Sequence, residues 1–190
     1  AYLGAENAPH EIETSFYGEL NQYAKWMIAP ITAGINAEFD PYVDAADAQA
    51  FLESRGIIYK NRDIDDTKDY GEAMTIDLFE GADTLRKVSV RGTITEGNLM
   101  LSRINHFDKL YLEPSGNNLF VEYADQPGVL GKITGVLGEA DINIIDIRAP
   151  QDLERRHAMT VVKTDKPVPR DLVDKIKVEV GAKTAFFFAN

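Results

Sequence analysis

The stretch of the chain best suited to binding chemistry is residues 125–131, with the sequence DQPGVLG, where a predicted strand gives way to a predicted helix. Proline fits the first position of a helix, because the N–H that it lacks would have no acceptor there. The next backbone N–H groups point out of the helix start, where the helix dipole is positive, and they favour a carboxylate or phosphate. Asp125 adjoins this end and could hold an ammonium group. The segment therefore offers a partner for each pole of a zwitterionic amino acid.

Glycines recur along the same predicted helix at a spacing that places them on one side of it. They are Gly128, Gly131, Gly135 and Gly138. A glycine inside a helix costs about 1 kcal/mol relative to alanine, so the pattern indicates that a strand, another subunit or a ligand approaches this side closely. Two plainer interpretations stay open: Asp125 acts only as an N-cap, and the glycines only allow tight packing of the helix on a sheet.

Asn143 stands between two isoleucines at the start of the next predicted strand. Its amide can both donate to and accept from a bound amino acid, although a lone asparagine there is also typical of the end of a turn. In a β-α-β unit this position lies near the end of the first helix, or at the seam if two sheets meet edge to edge.

A second candidate site is a cluster of basic residues in an otherwise acidic chain. The basic side chains within one short stretch are Lys87, Arg91, Arg103, His106 and Lys109. Strand alternation puts Lys87 and Arg91 on one face, and clustered cations can hold a phosphate. The alternative is an ordinary solvated face. The His residues are scattered and show no spacing typical of a metal site.

The second half of the chain has the pattern of a split β-α-β-β-α-β unit. Strands are predicted at residues 119–124, 142–148, 157–163 and 183–188, and helices at residues 127–140 and 169–180. This order predicts a ferredoxin-like, four-stranded antiparallel sheet with both helices on one face. In the strand at 142–148, alternation puts Ile144 on one face and Ile145 and Ile147 on the other.

The first half mixes helices with later strands. Residues 19–33 read as a helix that Pro30 kinks or ends, and Asp44 caps a helix that runs to about Arg55. Trp26 is expected in the core. Strands are predicted at residues 10–17, 57–59, 74–79, 85–94 and 99–107.

Turn-forming residues at 113–118 predict a boundary between two domains, residues 1–115 and 116–190. The first is a mixed α/β domain and the second is the β-α-β-β-α-β unit, so the predicted fold class is α+β.

Composition narrows the possible functions. The chain has 190 residues, no cysteine and a net charge of −11. The lack of cysteine excludes disulfide scaffolds, zinc fingers, iron–sulfur clusters and thiol nucleophiles, and it fits a cytoplasmic location. The negative charge disfavours nucleic acid and anionic membranes as partners. The chain begins without methionine, and we expect a piece of a longer protein.

Two sets of motifs resemble known families. The D-x-P-G sequence at a helix start, followed by I-N-I around Asn143, resembles ACT domains, which are small amino-acid-sensing regulatory modules. Residues 90–94 (VRGTI) and 103–108 (RINHFD) are similar to the intervening domain that precedes the ACT domain in long-form D-3-phosphoglycerate dehydrogenases. The turn at residues 154–157 (ERRH) departs from the Gly-Gly turn that this family often carries.

The resemblance implies an effector site for L-serine at an interface between two ACT domains. Carried over by motif position, its residues are Tyr123, Asp125, Gly128, Val129, Leu130 and Asn143. Asp125 and Asn143 would hold the polar groups of serine, and the amides near Leu130 would meet its carboxylate. The intervening domain would bind a second anion, through Arg91, Arg103, His106 and Lys109.

The resemblance thus favours a serine-sensing regulatory region that forms homo-oligomers through its ACT domains. No G-x-G-x-x-G follows a strand, so we expect no NAD, no metal and no catalytic residue in this chain. NAD and the dehydrogenase activity would belong to catalytic domains upstream in the same polypeptide. A stand-alone sensing or assembly module is the alternative. A subunit of L-serine dehydratase ranks last, because its cysteines and its S-S-S-H-T run are missing.

Overall fold

The computed structural model describes residues 9–36, 38–63, 68–81 and 87–189. The chain divides into two compact units, Ala1–Gly97 and Asn98–Asn190. The fold class is α+β, as predicted.

In the first unit, four strands lie side by side in the order β2-β1-β3-β4. They are β1 (Glu11–Tyr17), β2 (Ile58–Asn61), β3 (Ala73–Phe79) and β4 (Lys87–Thr95). β1 runs parallel to β2 and antiparallel to β3, which is antiparallel to β4. A 3-10 helix (Gly18–Trp26) and two α-helices, α1 (Ile28–Ile35) and α2 (Ala45–Ser54), share a core with Ile12 and Phe16 of β1. Leu85 and Arg86, at the start of one predicted strand, lie outside the described residues.

The predicted helix at residues 19–33 is two helices that meet at Met27. A continuous helix would need an N–H at residue 30 to donate to the carbonyl of Trp26, and proline has none, so the break fits the predicted kink and only the predicted end at Pro30 is wrong. Pro30 is the third residue of α1 and does not end it. In the first turn of a helix an N–H has no intrahelical acceptor, so its absence from proline does no harm. Trp26 is not in the core: it is 54% exposed, and the ammonium of Lys25 lies 4.2 Å from its ring centroid. The capping prediction is confirmed, since Asp44 accepts a 2.9 Å hydrogen bond from the N–H of Asp47.

The second unit begins with an antiparallel hairpin, β5 (Asn98–Ile104) and β6 (Phe107–Leu112). The sequence predicted one strand through residue 107 and missed β6. Asn105 has φ +52°, a left-handed conformation that asparagine tolerates and that short hairpin turns require. The chain therefore reverses at Asn105 and His106.

The hairpin is followed by a four-stranded antiparallel sheet in the order β10-β7-β9-β8. Its strands are β7 (Asn117–Ala124), β8 (Ile144–Arg148), β9 (His157–Thr164) and β10 (Thr184–Ala189). Two helices, α3 (Val129–Glu139) and α4 (Arg170–Glu179), pack on it through a core that includes Leu119, Ile133 and Ile176. The predicted β-α-β-β-α-β order is confirmed.

A second apolar cluster in this unit joins the hairpin to the same sheet. Leu110 and Leu112 of β6 pack with Phe120, Met159 and Val161 of the sheet. This packing groups residues 98–115 with the second unit, whereas the sequence predicted a boundary after residue 115.

A bulge in β8 changes the faces of its side chains. The register with β9 shifts between Ile144 and Asp146, so Ile144 and Ile147 both pack against the core and Ile145 is 63% exposed. The predicted strict alternation is wrong here, because the extra residue of a bulge reverses the faces that follow it.

Candidate functional site

The start of α3 is open and rich in backbone donors. Its N-cap is Gly128, with φ +88°, and no side chain caps it. The left-handed backbone favours glycine at this position. The first intrahelical hydrogen bond joins the N–H of Lys132 to the carbonyl of Gly128 at 3.1 Å. The N–H groups of Val129, Leu130 and Gly131 come before this first donor, so they have no acceptor within the helix. They lie at the positive end of the helix dipole.

Asp125 lies one residue beyond β7, beside this helix start, and is half-buried. Its N–H donates to the carbonyl of Arg156 at 2.8 Å. Its carboxylate accepts a hydrogen bond from Nε2 of Gln151. The interpretation of Asp125 as a mere N-cap is therefore wrong, because its side chain faces the segment after β8 and makes no capping bond.

Gln151 was not predicted from the sequence. It forms an isolated antiparallel bridge with Ala158, and Ala158 pairs with Tyr123 on the other side. Gln151 therefore reaches the end of β7 only through the pairing of three segments. The sequence signal that could have indicated Gln151 was the predicted turn at residues 151–156. The first residue of this turn lies beside the end of β7 once the strands are paired.

The turn between β8 and β9 is braced by Asp152. Its carboxylate accepts hydrogen bonds from the N–H of Arg156 at 2.7 Å and of His157 at 3.2 Å, and contacts Nδ1 of His157 at 3.0 Å. Burial alone would raise the pKa of Asp152, but these hydrogen bonds outweigh it and lower the pKa below its ordinary value. Arg155 has φ +53°, which explains why glycine would suit this turn.

Tyr123 is part of the core under the site. It is 3% exposed, and its hydroxyl lies 2.7 Å from Oγ1 of Thr160. Burial raises the pKa of the phenol, and the negative charge of Asp125 adds to the effect, so the hydroxyl stays protonated. In this structure the tyrosine supports the strand that carries Asp125 from within the core.

Asn143 lies at the opposite end of the sheet from Asp125. Its N–H donates to Oδ1 of Asp165 at 2.9 Å, and its carbonyl accepts from the N–H of Asp165 at 3.1 Å. The eight residues of β9 run between these two ends. At about 3.3 Å per residue the ends are about 23 Å apart. One chain therefore does not bring Asp125 and Asn143 around one small ligand.

The glycine face of α3 is open. A Cβ built at Gly131, Gly135 or Gly138 meets no atom within 4 Å among the described residues, outside the helix backbone itself. The interpretation that these glycines permit close packing on the chain's own sheet is thus wrong. A second subunit and a ligand remain as reasons for them.

The residues of the predicted second anion site are spread over both units. Arg91 is on β4 of the first unit, with its guanidinium 4.2 Å from the ring centroid of Tyr70. Arg103, His106 and Lys109 are on the hairpin of the second. Lys109 lines a groove of about 530 Å³ that Arg148 and Arg155 also line. The second anion site stays a prediction, as does the shared face of Lys87 and Arg91, since the Lys87 side chain is outside the described part.

Within residues 9–36, 38–63, 68–81 and 87–189, no group of three or more His, Asp or Glu side chains could hold a metal ion. None of the helices described there combines the length and apolarity that crossing a bilayer requires.

The family model for the ACT domain matches residues 118–181. This segment is an ACT domain. The match runs from β7 to the end of α4, and so contains Asp125, the open start of α3 and Asn143. The resemblance drawn from residues 125–131 and Asn143 is confirmed for this part of the chain.

Curated relatives of the chain include several proteins named D-3-phosphoglycerate dehydrogenase. The one from Synechocystis sp. is 23% identical over 174 residues, which cover 89% of this chain and 30% of that protein. The one from Mycobacterium leprae is 35% identical over 99 residues, 50% of this chain and 18% of that protein. The chain thus spans less than a third of these relatives. The C-terminal domain of the MgtC protein from Mycobacterium tuberculosis aligns with 41% of the chain at a TM-score of 0.32 and 16% identity, too distant to carry an argument.

Proposed function

We propose that this chain is the regulatory C-terminal region of a D-3-phosphoglycerate dehydrogenase, and that its ACT domain binds L-serine as a feedback effector. The observation that carries the proposal is the open start of α3 beside the Asp125 carboxylate. The N–H groups of Val129 and Leu130 suit the carboxylate of an amino acid, and Asp125 suits its ammonium. Relatives named D-3-phosphoglycerate dehydrogenase, similar over 89% of the chain, support the choice of enzyme.

The proposed site forms between two copies of the chain. β8 is an edge strand of the ACT sheet, and an edge offers unpaired N–H and C=O groups to another strand. Antiparallel pairing of β8 with its own copy about a twofold axis would set the start of one β8 beside the end of the other. Asn143 of one copy would then approach the end of the sheet that carries Asp125 of the other. The exposed Ile145 on this strand fits such a seam.

Regulation then follows from differential affinity. L-serine bound at the seam would stabilise the paired arrangement of ACT domains over other arrangements. A ligand shifts a conformational equilibrium only as far as its affinities for the two states differ. We propose that the catalytic site and NAD belong to upstream domains of the same polypeptide, which respond to this shift.

The first test is titration calorimetry of the chain with L-serine and with D-serine, alongside light scattering. The proposal expects heat of binding for L-serine, weaker binding for D-serine and an oligomer in solution. Flat heats at millimolar L-serine would remove the effector, and a monomer at every concentration would remove the two-chain site.

A mixing experiment tests whether two chains build the site. Asp125→Ala and Asn143→Ala should each weaken L-serine binding, and the backbone contacts of Asn143 to Asp165 survive the second change. A mixed dimer of the two variants keeps one site with both wild-type side chains. Mixing should therefore restore binding at wild-type affinity, with about half of mixed-dimer sites occupied. If the two variants exchange subunits but the mixture does not bind L-serine, Asp125 and Asn143 do not share a site across two chains.

A further inference from the structure

The segment after β8 is held firmly against the end of β7. The N–H of Met159 donates to the carbonyl of Pro150 at 3.0 Å, and the N–H of Asp152 donates to the carbonyl of His157 at 2.9 Å. Gln151 lies between these two contacts and bridges to Ala158. Its backbone position is therefore fixed by pairing on both sides, although its side chain is exposed.

The amide group of Gln151 uses its nitrogen in a hydrogen bond, whereas its oxygen is available to a ligand. Its Nε2 group donates to Oδ2 of Asp125. Within the described part of the chain, Oε1 of Gln151 has no hydrogen-bond partner. A carboxylate offers only acceptors and an amide offers both donors and an acceptor, so the Asp125 contact uses the amide's donor group and leaves its acceptor, Oε1, for another donor.

We infer that Gln151 is a ligand-binding residue of the amino-acid site: it fixes the Asp125 carboxylate through Nε2, and its Oε1 accepts a hydrogen bond from the ligand's ammonium group. An ammonium group has several N–H donors, and one carboxylate oxygen satisfies only part of them. The hydrogen-bonded pair of Asp125 and Gln151 supplies a charged acceptor and a neutral acceptor on neighbouring side chains. Such a pair favours an α-ammonium group over a hydroxyl group, which carries a single donor.

This inference rests on the proposed function, and it names a recognition element that the sequence motif does not contain. The motif accounts for Asp125 and the helix start, whereas Gln151 belongs to the turn region that departs from the family pattern. Relatives with a different residue at this position would share the Asp125 contact and lack the second acceptor.

The test is calorimetric titration of the whole chain with L-serine, using Gln151→Met and Gln151→Ala. Methionine keeps the length and volume of glutamine but cannot make either hydrogen bond. Both variants should bind L-serine about tenfold more weakly, as expected for lost hydrogen bonds to charged groups. Gln22→Met, the same change at an exposed glutamine of the first unit, should leave binding unchanged. Thermal unfolding curves confirm that each variant is folded.

A double-variant cycle separates ligand recognition from general support of the turn. If Gln151 acts with Asp125 on one ammonium group, Asp125→Ala with Gln151→Met should bind no more than about twofold more weakly than Asp125→Ala alone. Wild-type affinity in Gln151→Met, or two effects that simply multiply, would overturn the inference while the proposed function stands. A wild-type chain that binds no L-serine would remove the proposed function, and the inference with it.

Discussion

Replacing Gly135 by alanine should stabilise the isolated chain and weaken its assembly. Gly135 lies in the middle of α3, and an added Cβ meets nothing within 4 Å among the described residues outside the helix backbone. Alanine is about 1 kcal/mol better than glycine inside a helix. If a second subunit or a ligand covers this face, however, the added methyl group occupies the space that the partner needs.

The expected change in stability follows from the helix propensity of alanine and the open space around Gly135. For a chain of this size, about 1 kcal/mol corresponds to a rise in Tm of about 2–4 °C, measured by circular dichroism at a concentration where the chain is dissociated. Gly128→Ala is the matched control, because Gly128 has φ +88° and alanine there is strained whatever the space. That variant should lose stability by about 1 kcal/mol or more.

Two results would refute the reasoning. A lower Tm for Gly135→Ala under dissociating conditions would show that this face is not open in the chain. A higher Tm together with unchanged oligomerisation and unchanged L-serine affinity would show that nothing approaches the glycines, and another reason for them would be needed.

Three other outcomes are expected. Asp125→Ala should weaken L-serine binding in calorimetry by about 2 kcal/mol, since a charge-assisted contact is lost; unchanged affinity would exclude Asp125 from the site. Tyr123→Phe should lower the free energy of unfolding by about 1 kcal/mol, because it leaves the buried Thr160 hydroxyl without its 2.7 Å partner; an unaltered urea midpoint would contradict this. Asp152→Asn tests the lowered pKa of that carboxyl: the charged form is stabilising, so wild type should be the more stable above pH about 4, and its advantage should shrink as the pH falls through the folded pKa. A constant difference between pH 7 and pH 2.5 would show that the charge of Asp152 plays no part.

The ACT domain was predictable because its local patterns agree with its tertiary contacts. Apolar residues at helical spacing in α3 and α4 face a sheet whose strands are separated by turn residues, so local preference and packing give the same answer. Pro127 does not take the predicted first helical position, because it lies one residue before the N-cap. Gly128 marks the start of α3 for a local reason, its left-handed backbone. These features fixed the position of Asp125 without any knowledge of long-range contacts.

Other features depend on contacts between segments distant in sequence. The apolar spacing at residues 19–33 is the same for one helix as for two, so it could not show the break at Met27. The exposure of Trp26 depends on where the neighbouring elements end. The bond between Gln151 and Asp125 needs β7, β9 and the segment after β8 to be paired in register. Strand pairing of this kind is set by the whole sheet.

The strands at the centre of the ACT sheet have apolar neighbours above and below. β7 and β9 are buried along almost their whole length, with α3 and α4 over one face and the β5–β6 hairpin packed on Phe120, Met159 and Val161 of the other. A truncation that starts at residue 116 would remove the hairpin and expose this apolar face of the sheet to water. Large exposed apolar surfaces promote aggregation. An expression fragment meant to yield the ACT domain alone should therefore start at Asn98, so that it includes the β5–β6 hairpin.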